Sequence, residues 1–266
     1  MSKKAKLSYI FLIVFVEVLL IIIFIYYYKI IYKPSVSVDD AKPVVTQERL
    51  LFESSIPTEG YQEEKSHSVT DQPVAEKPKR MISKYEDLYK KNKDMIGYIY
   101  LNDKYSFPIL QRKSDQNYYL NHDFNKKKAV SGSIFANRFT QLGESGISVI
   151  YGHRLKSGSM FSSLKYYVDN KKYIKNNSII LIDTLYERQI YKFVAAALIS
   201  LNDDCNYYDY IGDVSKEDFE VWKKELNKKC VTGSLDSLEY GDTIVELSTC
   251  AYHAKDGREI VVFKKV

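Results

Sequence analysis

The sequence predicts a mainly β fold that closes, fully or nearly, into a barrel. Segments rich in β-branched and aromatic residues recur along the chain, are short, and are separated by turn signals. These predicted strands cover residues 96–101, 107–110, 132–136, 147–151, 179–185, 190–201, 244–249 and 260–263. Tyrosine, with 24 residues against one tryptophan, fits a strand-rich structure. Closure is expected because it removes exposed strand edges.

Two predicted helices and one proline refine this picture. The first helix begins at Ser83, where Ser83 and Glu86 have the spacing of a capping box. The second covers residues 215–229, begins with a serine cap, and lies inside a long connection between strands. Pro108 marks the second strand as an edge or irregular strand, since proline cannot donate to the ladder.

Residues 7–28 predict one membrane-spanning segment. The run is apolar except for Ser8 and Glu17. At about 1.5 Å of rise per residue it can cross a hydrocarbon core of about 30 Å. Lysines precede it and no small-residue cleavage site is obvious, so we expect a retained signal anchor in residues 1–33 with its N-terminus inside. A buried helix of a soluble protein is the alternative.

Residues 34–80 predict a flexible stalk. Five of the six prolines fall here, among Ser, Thr, Glu and Lys, with little apolar periodicity. The folded domain is then residues 81–266. This organisation predicts a single-pass protein of the cell membrane whose domain lies outside the cell.

Composition argues against several classes of partner. The net charge of +5 is mild, and basic and acidic residues are interspersed, so no nucleic-acid partner is predicted. Metal-binding patterns such as Cys-x-x-Cys, or His-x-x-x-His with a third ligand, do not occur. A glycine-rich phosphate loop after a strand is also missing from the sequence. We therefore predict neither a metal nor another cofactor.

The last two predicted strands place a cysteine and an arginine together. Residues 244–249 and 260–263 flank an Asp-Gly turn signal at 256–257. Strands joined this way run antiparallel, so that Cys250 and Arg258 lie at the same edge of the sheet. A thiol beside a guanidinium has a reason to ionise, which makes Cys250 a candidate nucleophile.

The other two cysteines leave two interpretations open. In an oxidising compartment Cys205 and Cys230 could pair and leave Cys250 as the odd thiol. All three could instead be unpaired and buried. For Cys250 this second interpretation is less expected, because the residue follows Ser248 and Thr249 at a strand end beside polar loop residues.

A nucleophilic cysteine needs a base, and the folded part offers three histidines. His153 ends a strand in Tyr-Gly-His-Arg, a position where a rigid scaffold holds catalytic side chains. His253 lies three residues past Cys250, and His122 lies in a polar segment. His153 is the favoured base, and each of the three could instead be structural. No third residue that orients His153 can be named from the sequence.

These residues carry a resemblance to a known family. The motif Leu-Ser-Thr-Cys at 247–250 is followed eight positions later by Arg258, and Tyr-Gly-His at 151–153 is followed by Ser-Met-Phe at 159–161. Gly-Ser-Ile-Phe at 132–135 precedes both. Over residues 83–266 the chain resembles the sortases of Gram-positive bacteria, class B in particular. The first helix and the helix before the cysteine strand are similar to features that separate class B from classes A and C.

The resemblance implies an eight-stranded β-barrel and a cysteine transpeptidase. Cys250 would attack the carbonyl after the threonine of a sorting motif, of Asn-Pro-x-Thr or Leu-Pro-x-Thr type, near the C-terminus of a secreted protein. An amine of a peptidoglycan precursor or cross-bridge would then resolve the thioester. His153 would act as the general acid and base, and Arg258 would hold the substrate and stabilise the oxyanion.

The resemblance also implies a peptide groove. Leu120, Tyr151 and Ser248 would line it. Gln116 stands where the family often has Asn, and Ala251 where an acidic residue is common, which bears on substrate recognition and not on the chemistry.

Two further classes stay open from the sequence. A surface cysteine protease would use Cys250 and His153 with water as the acceptor. A non-catalytic, membrane-tethered binding module would keep Cys250 as a structural residue.

Overall fold

The computed structural model describes residues 15–23, 80–201 and 206–266. Residues 34–79 of the predicted stalk lie outside these ranges, as do both ends of the predicted membrane segment. Cys205 also lies outside them, so its pairing with Cys230 is untested. Residues 15–23 are helical and expose their large apolar side chains. In the three described ranges, every helix is too short or too polar to cross a bilayer.

The described chain forms one sheet that closes on itself. Its strands are β1 Met95–Tyr100, β2 Ser106–Leu110, β3 Phe135–Ala136, β4 Gly146–Tyr151, β5 Ile179–Thr184, β6 Arg188–Ser200, β7 Cys230–Gly233, β8 Thr243–Cys250 and β9 Gly257–Lys265. The order is β5-β1-β2-β3-β4-β8-β9-β6-β7, and β5 also pairs with β6. The β5–β6 pairing closes eight strands into a ring. β7 is not part of this ring and pairs with β6. The predicted eight-stranded barrel is confirmed, whereas β7 was not predicted.

Besides the strands of the barrel, residues 80–201 and 206–266 contain four helices. They are α1 Ser83–Lys91, α2 Tyr166–Asp169, α3 Lys171–Asn176 and α4 Lys216–Asn227. Three 3-10 turns accompany them, at Tyr118–Leu120, Phe161–Lys165 and Tyr207–Asp209. The helices predicted near residues 83 and 215 are therefore both present.

The two predicted helix caps differ in outcome. In α4 the Ser215 hydroxyl accepts a hydrogen bond from the Asp218 amide at 3.1 Å, which confirms the predicted cap. In α1 the N-cap is Ile82, and no side chain caps the helix, so the Ser83 capping box was wrong. The reason is tertiary: the Ile82 amide donates to the Leu185 carbonyl at 2.8 Å, which fixes where the chain enters the helix.

A buried carboxylate holds α1 against the barrel. Asp183 in β5 is inaccessible to solvent and accepts hydrogen bonds from Arg188 at 2.8 Å, from Lys84 of α1 at 2.9 Å, and from the Tyr85 hydroxyl. Burial opposes ionisation of Asp183, but these hydrogen bonds outweigh it and hold the pKa of the carboxyl below its usual value. The ion cluster therefore fixes the helix to the β5–β6 corner.

The β8–β9 strand pair separates two apolar clusters. Alternate residues point to opposite faces of a strand, so one pair of strands serves both clusters. The cluster inside the barrel includes Val245, Leu247, Val261 and Phe263, together with Phe161 and Leu164. The outer cluster includes Ile244, Ile260 and Val262, together with Phe219, Trp222 and Leu226 of α4. Helix α4 thus covers the outer face of the strand that ends in Cys250.

Candidate active site

Two parallel strands bring the predicted cysteine and histidine to one edge of the barrel. β4 and β8 pair in parallel, with Tyr151 opposite Ser248 in the last register position. His153 and Cys250 each lie two residues beyond that pair. The Gly152 amide donates to the Ser248 carbonyl at 3.1 Å, so the two chains stay together past the end of β4. Because parallel strands end at the same edge, His153 and Cys250 meet there.

A second contact fixes the spacing between these strand ends. The buried Thr249 hydroxyl donates to the Gly152 carbonyl at 2.7 Å. A Cβ atom on Gly152 would lie 2.5 Å from Ile134 and 2.7 Å from the ring of Phe161. The middle residue of Tyr-Gly-His must therefore be glycine for the strand to pack this closely.

The β8–β9 hairpin has the predicted geometry. Cys250 lies opposite Arg258 in the antiparallel ladder, so both side chains point to the same face. The Ala251 amide donates to the Gly257 carbonyl at 2.9 Å and closes the loop. Asp256 takes a left-handed conformation with φ of 54°, in agreement with the turn predicted at this point.

One cleft of about 320 Å³ contains all six predicted site residues. It is lined by Gln116, Asn117, Leu120, Phe135, Tyr151, Gly152, His153, Leu201, Tyr207, Tyr208, Ser248, Thr249, Cys250 and Arg258. The Cys250 side chain is exposed to solvent, and His153 and Arg258 are half-buried. An accessible thiol beside an imidazole and a guanidinium is an arrangement suited to nucleophilic catalysis.

The imidazole of His153 has a hydrogen-bond partner that the sequence did not suggest. Its Nε2 donates to the main-chain carbonyl of Leu120 at 2.7 Å. The Leu120 side chain is 45% exposed and lines the cleft, as predicted for a groove residue. Leu120 therefore offers its side chain to the cleft and its carbonyl to His153.

The two alternative histidines do not line this cleft. His122 stacks on Tyr118 with ring centroids 4.0 Å apart, and its Nδ1 is 2.7 Å from the Tyr118 carbonyl. His253 lies in the loop after Cys250 and lines a separate pocket on the inner face of the β8–β9 ends. Of the three histidines in the folded part, His153 is the one in the cleft with Cys250.

Gln116 presents a donor without a partner. Its Oε1 accepts a hydrogen bond from the Arg138 amide at 2.5 Å, which fixes the side chain. Its Nε2 is buried and has no hydrogen-bond partner among the described residues. Gln116 thus lines the cleft with a side chain that is fixed at its oxygen and enclosed at its nitrogen.

Comparison with known proteins agrees with this geometry. The family model described as the sortase domain matches residues 103–266, more than half of the chain. The chain belongs to the sortase family. It is 34% identical to sortase B of Listeria monocytogenes over 168 residues, which span 62% of this chain and 65% of that protein. It is 29% identical to sortase B of Staphylococcus aureus over 218 residues, which span 77% of this chain and 86% of that protein.

Solved structures give the same assignment within the sortases. A Staphylococcus aureus sortase B–substrate complex superposes with a TM-score of 0.61 at 29% identity, over 70% of this chain and 86% of that one. Sortase B of Clostridium perfringens superposes with a TM-score of 0.61 at 27% identity, over 68% of this chain and 98% of that one. The chain is thus a class B sortase in sequence and in fold.

Two tyrosines complete the sortase cleft and were missed in the sequence. Tyr207 is buried, and its hydroxyl is 2.9 Å from the Ser248 hydroxyl beside the cysteine. Tyr208 follows it, is 40% exposed, and also lines the cleft. Both come from a short 3-10 turn within the long connection, and a tyrosine-rich chain gives no sequence signal that singles them out.

A buried glutamate lies beneath the cleft of this sortase. Glu246 in β8 is inaccessible to solvent and accepts a hydrogen bond from the Trp222 indole of α4 at 2.8 Å. Its other oxygen has no partner among the described residues. Burial raises the pKa of Glu246 to about 8, although the Trp222 hydrogen bond opposes this shift.

A second buried glutamate lies on the opposite face. Glu259 in β9 is 1% exposed, and one of its oxygens lies 3.7 Å from Arg154. Burial raises the pKa of Glu259 to about 7, and the positive charge of Arg154 limits the rise.

Across residues 15–23, 80–201 and 206–266, no three His, Cys, Asp or Glu side chains are grouped so that they could hold a metal ion.

Proposed function

We propose that residues 81–266 form the catalytic domain of a cysteine transpeptidase that joins secreted proteins to a cell-wall amine. The observation that carries this proposal is the shared cleft of Cys250, His153 and Arg258 at the ends of β4, β8 and β9. The family assignment supports the same chemistry.

The first half of the reaction forms a thioester. The Cys250 thiolate attacks the carbonyl carbon after the threonine of a sorting motif, and the tetrahedral intermediate collapses as the carbon–nitrogen bond breaks. His153, protonated, gives its proton to the leaving amine. The second half reverses these roles: an incoming amine loses a proton to His153, attacks the thioester, and releases the Cys250 thiolate.

Arg258 stabilises the charge that develops in both halves. One of its terminal nitrogens donates to the Gly257 carbonyl at 2.9 Å, which fixes the guanidinium at the cleft. A fixed charged donor in a partly desolvated site stabilises an oxyanion more than the same group does in water. The planar fork can also hold a substrate carbonyl.

The sorting peptide binds along the same cleft. Leu120, Tyr151 and Ser248 supply its walls, and Gln116 lines the same cleft. A sorting motif of Asn-Pro-x-Thr or Leu-Pro-x-Thr type fits this mixture of apolar and polar groups. One structural relative, from Staphylococcus aureus, is a sortase B–substrate complex, which supports substrate binding by this chain.

The proposed location of the enzyme rests on the composition of its first eighty residues. We propose that residues 7–28 anchor it in the cell membrane as a single span, within the tip and anchor of residues 1–33. Residues 34–80 then hold the catalytic domain outside the cell, where peptidoglycan precursors and cross-bridges supply the acceptor amine. The apolar run and the proline-rich composition support this arrangement.

Amine dependence separates a transpeptidase from a protease. Fluorogenic peptides of the x-Pro-x-Thr type are incubated with the full chain and increasing triglycine, and cleaved and ligated products are quantified by mass spectrometry. We expect ligated product to rise with triglycine. Cleavage whose rate and product do not respond to the amine would establish the surface protease instead.

Thiol labelling separates an enzyme from a binding module. We expect an alkylating reagent to label Cys250 selectively and a sorting-type peptide to block the labelling. Labelling that no peptide protects, together with no turnover of any peptide in the library, would favour the non-catalytic module.

A further inference from the structure

We propose that the Leu120 main-chain carbonyl selects the tautomer of His153, and that Gly132 is the positioning residue that leaves room for this carbonyl. The inference rests on the proposed function, since it assigns His153 a role in proton transfer. The Leu120 carbonyl is then the group that orients His153, for which the sequence alone offered no candidate.

The hydrogen bond itself dictates where the proton lies. A carbonyl oxygen only accepts, so the 2.7 Å contact requires the Nε2 of His153 to carry hydrogen. In the neutral imidazole the other nitrogen, Nδ1, is then the unprotonated one. Among the described residues no other hydrogen bond or ion pair reaches this ring. The Leu120 carbonyl alone therefore leaves Nδ1 as the atom that takes and returns a proton.

The same contact favours the charged form during catalysis. When His153 holds a second proton, both ring nitrogens are donors, and the bond from Nε2 to the carbonyl becomes charge-assisted. A carbonyl dipole aimed at the ring thus performs the orienting task that a carboxylate or amide performs in other nucleophile–histidine pairs.

The carbonyl is held by a turn with several anchors. The Leu120 amide donates to the Asn117 carbonyl at 3.0 Å. The Ser133 amide donates to the Tyr119 carbonyl at 2.9 Å, and the Ser133 hydroxyl donates to the His122 carbonyl at 2.9 Å. These bonds bracket Leu120 on both sides, so its carbonyl has little freedom to turn.

At Gly132 the backbone passes close to the carbonyl groups of this turn. Its φ is 53°, in the left-handed region that favours glycine. A Cβ atom there would lie 2.5 Å from the Leu120 oxygen and 2.6 Å from the Tyr119 oxygen. Both are backbone atoms, so no flexible side chain can move aside. Any larger residue at 132 must therefore displace the carbonyl on which His153 depends.

The tautomer can be measured directly in the unmodified protein. The full-length chain, labelled with 15N in its histidine rings, is studied in detergent by NMR at alkaline pH. The signal of His153 is assigned by its loss in His153→Gln. We expect the Nε2–H tautomer to dominate. A dominant Nδ1–H tautomer would overturn the proposal, and this readout is independent of whether the protein is a transpeptidase.

A pair of glycine variants tests the positioning role. Gly132→Ala is compared with Gly241→Ala, because Gly241 also has a left-handed φ, of 95°, but a Cβ atom there meets nothing within 4 Å. Both variants place an alanine at positive φ, and only the one at residue 132 presses on the Leu120 carbonyl.

We expect Gly132→Ala to lower kcat by about 100-fold, the usual cost of misplacing a catalytic group by about an ångström. KM should change little, and the Nε2–H tautomer of His153 should lose its dominance. Gly241→Ala should keep both near the wild-type values. Equal kcat in the two variants, or a loss of kcat with the tautomer unchanged, would refute the role of Gly132. If Gly132→Ala does not fold, the tautomer of the wild-type protein decides the proposal.

Discussion

The two faces of the β8–β9 strand pair each bury a glutamate, and the groups that surround these two carboxyls differ in charge. On the outer face Glu246 lies under the cleft and meets the neutral indole of Trp222. On the inner face Glu259 faces the cation of Arg154 at 3.7 Å. Burial raises the pKa of both, to about 8 and about 7 respectively. The comparison teaches that a nearby cation offsets only part of the cost of burying a carboxylate.

The faces also differ in what they do. Cys250 and Arg258 lie opposite each other and share the outer face with Ser248, whereas Thr249 turns to the inner face and bonds to Gly152. The outer face therefore carries the residues of the proposed chemistry. The inner face holds the end of β8 against the end of β4. Five predictions test this division, and they are arranged from the largest expected effect to the smallest.

Cys250→Ala should abolish transpeptidation, because the outer face then has no nucleophile. Thermal unfolding should stay close to wild type, since the Cys250 side chain is exposed. The two measurements are product formation by mass spectrometry and the Tm. Residual turnover at a near-normal rate would remove the proposed function from Cys250.

Arg258→Lys should lower kcat/KM by about 100-fold or more, because a point charge does not reproduce the planar fork and one oxyanion donor is lost. Steady-state kinetics with a sorting peptide and triglycine measures this effect. Arg258→Ala provides the matched control, and the lysine variant should retain little more activity than alanine. Full activity with lysine would limit the role of residue 258 to its charge.

Glu246→Gln should change how stability depends on pH. The folded-state pKa of about 8 exceeds the ordinary value of 4.5, so the folded state binds more protons between these values. The contribution of Glu246 is therefore complete below pH 4.5 and is lost as pH rises to about 8. The slope of this loss is at most about 1.4 kcal/mol per pH unit. Urea unfolding at several pH values should show a flatter profile in the variant.

Glu259→Gln sharpens the comparison of the two faces. The folded-state pKa of Glu259 is about 7, so its contribution to stability stops falling about one pH unit below the point where that of Glu246 does. At pH 8 the stability of Glu259→Gln should therefore differ from that of the wild type less than the stability of Glu246→Gln does. The same urea series measures it. A larger effect for Glu259→Gln would mean that Arg154 does not offset burial as its position suggests.

Thr249→Val should have the smallest effect. It removes one buried hydrogen bond to the Gly152 carbonyl and keeps the shape of the side chain. We expect a loss of about 1–2 kcal/mol in the free energy of unfolding. The decrease in kcat/KM should be modest beside that of Arg258→Lys. A loss of activity as large as that of Arg258→Lys would place Thr249 in the chemistry and break the division between faces.

Local signals in the sequence were enough to predict the cysteine hairpin. Runs of β-branched and aromatic residues, an Asp-Gly turn and antiparallel geometry placed Cys250 opposite Arg258, as the structure confirms. The serine cap of α4 was predicted for the same reason, because the cap and its partner lie three residues apart. The position of His153 at the end of β4 depended on one strand pattern, whereas its meeting with Cys250 required the family resemblance.

Features set by distant parts of the chain were not predictable in this way. The Leu120 carbonyl is a backbone group, so no residue type marks it as the partner of His153. The Ser83 capping box failed because Ile82 bonds to Leu185, in the turn between β5 and β6 far along the chain. Glu246 sits in an ordinary strand pattern, and only the packing of α4 shows that it is buried.

The bond between Thr249 and Gly152 joins positions 97 residues apart in the chain. Contacts between segments this distant are costly to form, since a long loop must lose chain entropy before they are made. The thiol and the imidazole consequently become neighbours through the pairing of β4 with β8, two strands that lie far apart in the chain.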